Sequence, residues 1–438
     1  MRIKLLFLLL FNIITINAQV LPHYKLSILQ SDLNLMYAQP LDETAYPAVF
    51  QVDTFRYNVM ARFKGSTTLE YPKKSWAIEF PNSKNYFGTS RINLHADYKD
   101  HSAMRNFLIL KLFNFYNLPT PTIKHVTYEV NGESYGVYTQ VEQINSEFLS
   151  RNNRVPLLLY KAVNHGGLMA PAVRDEYYSY IWEVENGSDK SFDELRKYLN
   201  KCLYWSKTDF DNNIANTVDV DNFLTFFAIH FVFVDMDNFT KNIFLNKNSN
   251  TRKFEFIPWD NEGSFANSAL GYFDPTHTEY NLKDSHTPEY QVVFSRLLEN
   301  PTYNALFKTK VNSIITNGYT YLDTLITNTY SRIKQDVYAD TKKEASNVDF
   351  DNSITQLKWF MTNRKSFLQS NDIPQHKPLT NFYCSNPLPT ASNPNVTFRI
   401  SSPSAQPVNM FFADSVNFNK FGQPFKFSRL ELFDDGQH

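Results

Sequence analysis

The feature that most constrains this chain is a twelve-residue run, 223–234, that is almost wholly apolar or aromatic and then breaks into Asp235, Met236 and Asp237. Such a run reads as a buried helix, capped at its start by Asp219 or Asp221, and it is too short to span a membrane. It therefore delivers carboxylates to the edge of a hydrophobic core, where each needs a compensating partner. Residues 242–246 and 253–257 read as two short strands joined by a polar link, a β-hairpin. A hairpin returns its ends to one place, so Asp237 and Asn242 on the way in and Asp260 on the way out are expected to converge. Three oxygen-bearing side chains at one point suit a hard cation such as Mg²⁺. The competing reading is a group of solvated turn carboxylates at a strand end.

With 42% hydrophobic and 16% aromatic residues, the 438-residue chain has ample material for one large two-lobed body or for two to three domains. Its 43 basic and 44 acidic residues leave a formal charge of -1, which argues against a nucleic-acid surface or a broadly basic membrane-binding face. Residues 1–18 read as a secretory signal, with Arg2 and Lys4 ahead of an apolar stretch and Ile16-Asn17-Ala18 as the cleavage site. The expectation is an exported chain with no membrane span after signal removal. Cys202 and Cys384 are able to pair in an oxidising compartment, but they make no disulfide framework and have no zinc spacing. Serine-hydrolase, zincin and Walker motifs are absent from the sequence.

Along the chain, residues 25–29, 55–63 and 75–80 read as strands of an antiparallel sheet, and 103–116 as a helix. Strands at 124–130 and 134–141 flank Asn131-Gly132, the strongest short turn signal. After a strand at 157–161, residues 164–187 look irregular, and Ser191 with Glu194 forms a capping box for a helix reaching Tyr204. Residues 288–370 carry about four helical segments. The stretch 372–394 reads as a linker, and 395–438 as a partial β-sandwich-like segment, expected to be cut short. The resulting division is a β-rich first lobe over 19–161 and a helical second lobe with the acidic hairpin over 162–371. The spacing of Asp237 to Asn242 equals that between the base Asp and the metal-binding Asn of a protein-kinase catalytic loop, with Asp260 following as a second metal-binding acid.

Several blocks together resemble the spore-coat protein H (CotH) kinase family, secreted atypical protein kinases. They are Arg62-Phe63-Lys64-Gly65-Ser66-Thr67-Thr68 with Pro72-Lys73-Lys74-Ser75-Trp76, Leu94 with Asp100-His101-Ser102-Ala103-Met104-Arg105-Asn106, Gly136-Val137-Tyr138 followed by Val141-Glu142-Gln143, and the central 237–262 stretch. The resemblance implies an α+β, two-lobed atypical protein-kinase-like fold and a Mg²⁺-ATP-dependent kinase, with Mn²⁺ as the alternative ion, acting on Ser or Thr of exported proteins. It implies that Asp237 orients or deprotonates the acceptor hydroxyl and that Asn242 and Asp260 hold the metal, with Glu262 in reach. It further implies that Lys74, or Lys73 in its place, binds the α/β-phosphates and pairs with Glu142, while Ser66 covers phosphate and Trp259 offers a base-stacking face. Two departures stand out: Lys64 where the family more often has Arg, and Glu262 where it more often has Asp.

Plainer readings compete at several positions. Lys73 and Lys74 also fit a solvated pair at a strand start, Glu142 a structural salt bridge to Arg105, and Trp259 the core. The whole chain also fits a non-catalytic surface or coat scaffold that keeps a kinase-like fold for adhesion or assembly.

Overall fold

The computed structural model describes residues 20–65, 67–81, 88–154, 156–164, 166–169, 175–235, 237–267 and 291–370, and short strands at 383–384, 398–399, 408–413 and 427–432. The expected signal at 1–18 and most of the expected linker and C-terminal segment lie outside the described residues.

The first part is built from strands β1 (His23–Ile28), β2 (Tyr46–Val52), β3 (Phe55–Lys64), β4 (Ser75–Glu79), β5 (Arg91–His95), β6 (Ile123–Val130) and β7 (Glu133–Glu142), with helices α1 (Gln30–Ala38), α2 (Arg105–Phe115) and α3 (Ser146–Arg151). Alternating side chains such as Phe50 and Val52, Ala61 and Phe63, and Trp76 and Ile78 fill one interior. The sheet is not left open. β1 pairs antiparallel with β2 and parallel with β6, setting Tyr24 opposite Tyr128, and the order β1-β2-β3-β4-β5-β7-β6 closes into a barrel. Closure removes the exposed edges that an open antiparallel sheet would leave. The Asn131-Gly132 turn has φ of 49° and 84°, the double positive φ of a type I′ hairpin.

The second part contains β8 (Pro156–Ala162), β9 (Trp182–Asn186), β10 (Ile243–Asn248) and β11 (Phe254–Pro258), ordered β11-β10-β8-β9 in an antiparallel sheet. Around it lie α4 (Tyr178–Ile181), α5 (Asp193–Tyr204), α6 (Lys207–Thr217), α7 (Val220–Phe233), α8 (Asp237–Thr240), α9 (Val292–Glu299), α10 (Pro301–Ser313), α11 (Tyr319–Ala339) and α12 (Asn347–Ser370). The strand expected at 157–161 thus joins the hairpin's sheet and not the barrel. Part of the stretch expected to be irregular forms α4 and β9. The cap expected from Ser191 belongs to Asp189, whose carboxylate accepts from the backbone N–H of Asp193 and Glu194 at 2.9 Å each. The four helices expected between 288 and 370 are α9 to α12. At the C-terminal end β12 (Tyr383–Cys384) pairs with β13 (Phe398–Arg399), and β14 (Val408–Ala413) with β15 (Phe427–Leu432), both antiparallel.

α7 is buried from Asn222 to Phe233, because its apolar residues run all the way round and not along one stripe. It packs with α2, α9 and α10 in a second core distinct from the barrel interior. Cys202 is a buried free thiol there. Among the described residues no helix is long and apolar enough to cross a membrane.

Candidate active site

α7 is capped at its start by Asp219, whose side chain accepts from Asn222 N at 3.1 Å. It stops at Val234, which adopts a left-handed φ of 52°, a sparsely allowed conformation for a β-branched residue. The chain then turns through Asp235, fully buried, whose Oδ2 accepts from Ser264 Oγ at 2.6 Å and Asn238 Nδ2 at 3.1 Å. Asp237 opens the single turn α8 and stays exposed, with Lys241 Nζ 3.2 Å from its carboxylate. Asn242 has φ 60° and feeds β10, whose first residue, Ile243, faces Pro258. The hairpin register therefore carries Trp259 and Asp260 back beside Asn242. The loop is secured from α2 as well: Asn106 Oδ1 accepts from Asn261 N at 3.0 Å.

The acids of this region repel one another. Burial raises the Asp260 carboxyl, Asp237 and Asp235 add to that, and Lys64 opposes it. Burial lifts Glu262 well above the usual range, with Asp260, Asp97, Asp100 and Asp237 pushing in the same direction. Asp97 rises to about 7, through burial first and then the charge of Asp100. Burial pulls Lys241 down, but the charge and hydrogen bond of Asp237, with Asp260 and Glu262, raise it overall. Lys64 is pushed down to about 7 by burial, with Arg91 adding to the effect and Asp260 working against it.

Asp237, Asp260 and Glu262 thus share one electrostatic site. Among the described residues, however, no three His, Cys, Asp or Glu side chains stand close enough together to cage a metal ion. Mg²⁺ usually takes one or two carboxylates and completes its shell with water and substrate phosphates. The donor set fits that mode: among the described residues, neither the Asp260 nor the Glu262 carboxylate carries an ion pair or a hydrogen bond.

Other expected positions hold different partners. Lys73 is buried, donates to Val137 O at 2.6 Å and pairs with Asp340 at 2.8 Å. Lys74 Nζ donates to Leu69 O at 2.5 Å. Glu142 is not paired with Lys74: both guanidinium Nη atoms of Arg151 bond its carboxylate, and Thr122 N and Oγ1 donate to it at 3.0 Å. Arg105, the salt-bridge partner expected for Glu142 in the plainer reading, pairs with Asp100 instead. Trp259 is 5% exposed, packed edge-on against Phe244 and His95 and covered by Lys64 Nζ 4.5 Å from the ring, which leaves it little face for a base. Ser66 lies outside the described residues. Sequence reasoning missed Asp97, the link from Asn238 to Asp260 and the long reach of Asn106. It noted Lys64 only as a departure from a pattern, although a lysine closing an alternating strand beside a glycine was the available signal.

Residues 61–368 match the family model described as CotH kinase protein. The chain belongs to this family. Membership places it in a kinase-like class. The chain is similar to inner spore coat protein H of Bacillus subtilis (strain 168), 25% identical over 363 residues that span 81% of this chain and 98% of that protein. The Helicobacter pylori proinflammatory kinase CtkA aligns at 9% identity with a TM-score of 0.29, over 68% of this chain and 93% of the other.

Proposed function

We propose that this CotH-family chain is a secreted, Mg²⁺-ATP-dependent protein kinase acting on Ser or Thr of exported or surface proteins, with its barrel and its helical part as two lobes. The observation that carries the reading is the shared site of Asp237, Asp260 and Glu262, exposed at Asp237 and deeper at the two other acids. Asp237 orients or deprotonates the acceptor hydroxyl. Asp260 and Asn242 hold the divalent ion, with Glu262 in support. A bound Mg²⁺ neutralises charge on the transferred phosphoryl group, so positioning and electrostatics do most of the work. Lys73, Lys74 and Glu142 are engaged elsewhere and take no part in this assignment.

The test is incubation of the purified chain with Mg²⁺ and labelled ATP. The chain itself or an exported protein becomes labelled, Asp260→Ala abolishes nucleotide binding, and Asp237→Asn keeps binding while transfer drops by about 10²-fold or more. A second reading, an assembly scaffold, is favoured by the relative named as a coat protein. It takes over if the unaltered chain neither binds ATP nor labels any partner.

A further inference from the structure

We infer that Lys64, and neither lysine of the Lys73-Lys74 pair, is the cation that contacts the phosphates of a bound nucleoside triphosphate; this rests on the kinase reading above. Lys64 is the last residue of β3 and sits opposite Ser75 at the start of β4. Its Nζ lies over Trp259, the residue immediately before Asp260, so the barrel presents an ammonium to the outgoing end of the acidic hairpin. The cations around it are compensated: Arg62 lies 3.9 Å from both Glu43 and Glu79, Arg91 3.7 Å from Glu79, and Lys161 2.7 Å from Glu183. Lys64 has no ion pair or hydrogen bond among the described residues. Asp260 is its electrostatic partner, yet the two do not close into a salt bridge.

A half-buried ammonium and a half-buried carboxylate, each without an ion pair or side-chain hydrogen bond among the described residues, suit a ligand that brings both signs. Phosphate oxygens satisfy the lysine, and the divalent ion on those phosphates satisfies the acid. Lys73 has no such freedom, because its ammonium is consumed by Asp340 and Val137. Lys74 is turned to the Leu69 carbonyl beside Glu70.

Two measurements on the whole chain test this. The first is labelling with an amine-reactive ATP analogue followed by peptide mapping. Lys64 is labelled, Mg²⁺-ATP slows its labelling at least about tenfold, and Lys73 and Lys74 stay unlabelled. The second is nucleotide affinity. Lys64→Met weakens it about 10- to 100-fold with an unchanged melting temperature, and Lys64→Arg restores most of it. If the unaltered chain binds ATP while Lys64→Met binds equally well, or if ATP protects Lys74 instead, the Lys64 assignment falls and the kinase reading stands. If the unaltered chain binds no ATP, the kinase reading itself falls. Should Lys64→Met not fold, labelling of the unaltered chain decides.

Discussion

The side-chain amide of Asn238 donates at 3.1 Å to the main-chain carbonyl of Asp260 and at 3.1 Å to the carboxylate of Asp235. One nitrogen thereby ties the turn after α7 to the loop after β11. Val234 at φ 52° and Asp260 at φ 55° lie on either side of this tie, and such backbone persists only where its surroundings hold it.

Replacing Asn238 with Ala removes that tie and leaves a buried carboxylate short of a donor. The expected cost is about 1–3 kcal/mol in urea unfolding. Phosphoryl transfer should fall more than nucleotide affinity, since Asp237 and Asp260 lose their mutual placement. Unchanged stability and turnover would show that the link is incidental.

Lys73 and Asp340 form a buried ion pair between the loop before β4 and the end of α11, and Asp340 also accepts from Val137 N at 3.0 Å and Lys342 N at 2.9 Å. Gly136, at φ 79°, makes room for it, since a Cβ there would lie 2.0 Å from Asp340 Cγ. Lys73→Met strands a buried charge and should cost about 3–5 kcal/mol, much of it recovered in Lys73→Met/Asp340→Leu. A double variant no more stable than the single one contradicts this account.

His125 is buried, bonded to Ala103 O at 2.7 Å, and burial holds it down to about 4, with Arg332 and Lys111 adding to the effect and Asp100 opposing it. The unfolded chain takes up this proton near pH 6.5, whereas the folded chain resists until about 4. The stability associated with neutral His125 is therefore complete above about pH 6.5 and lost as pH falls toward 4. Urea midpoints measured at pH 7 and pH 5 should drop more for the native chain than for His125→Gln, and equal drops would refute the assignment.

Arg364, fully buried on α12, donates to Val232 O at 3.1 Å and Phe231 O at 2.8 Å, carbonyls at the C-terminal end of α7. Cations are favoured at that end of a helix dipole. Arg364→Met leaves those carbonyls without this donor and should destabilise the chain by about 1–3 kcal/mol. A melting temperature indistinguishable from that of the native chain would argue against it.

Chelation of divalent ions should weaken ATP binding at least about tenfold while leaving the melting temperature of the nucleotide-free chain unchanged. The described acids form no cage of their own, so the ion is expected to arrive with phosphate. A large chelator effect on the nucleotide-free chain would point to a structural metal instead.

Local chemistry alone determined the buried helix ending in acids, the hairpin that returns Asp260 toward Asp237 and the Asn131-Gly132 turn. Each depends on residues within about thirty positions of one another, where periodicity and turn preference act directly. Barrel closure through the β1–β6 pairing and the partners of Lys73, Glu142, Lys64 and Asn106 were decided only by the tertiary structure. Asp340 lies 267 residues from Lys73 and Asn261 155 residues from Asn106, and no local pattern reports which distant group will compensate a buried charge or amide. A lysine block reads the same whether its ammonium meets a phosphate or a carboxylate from another helix, because burial and packing select the partner.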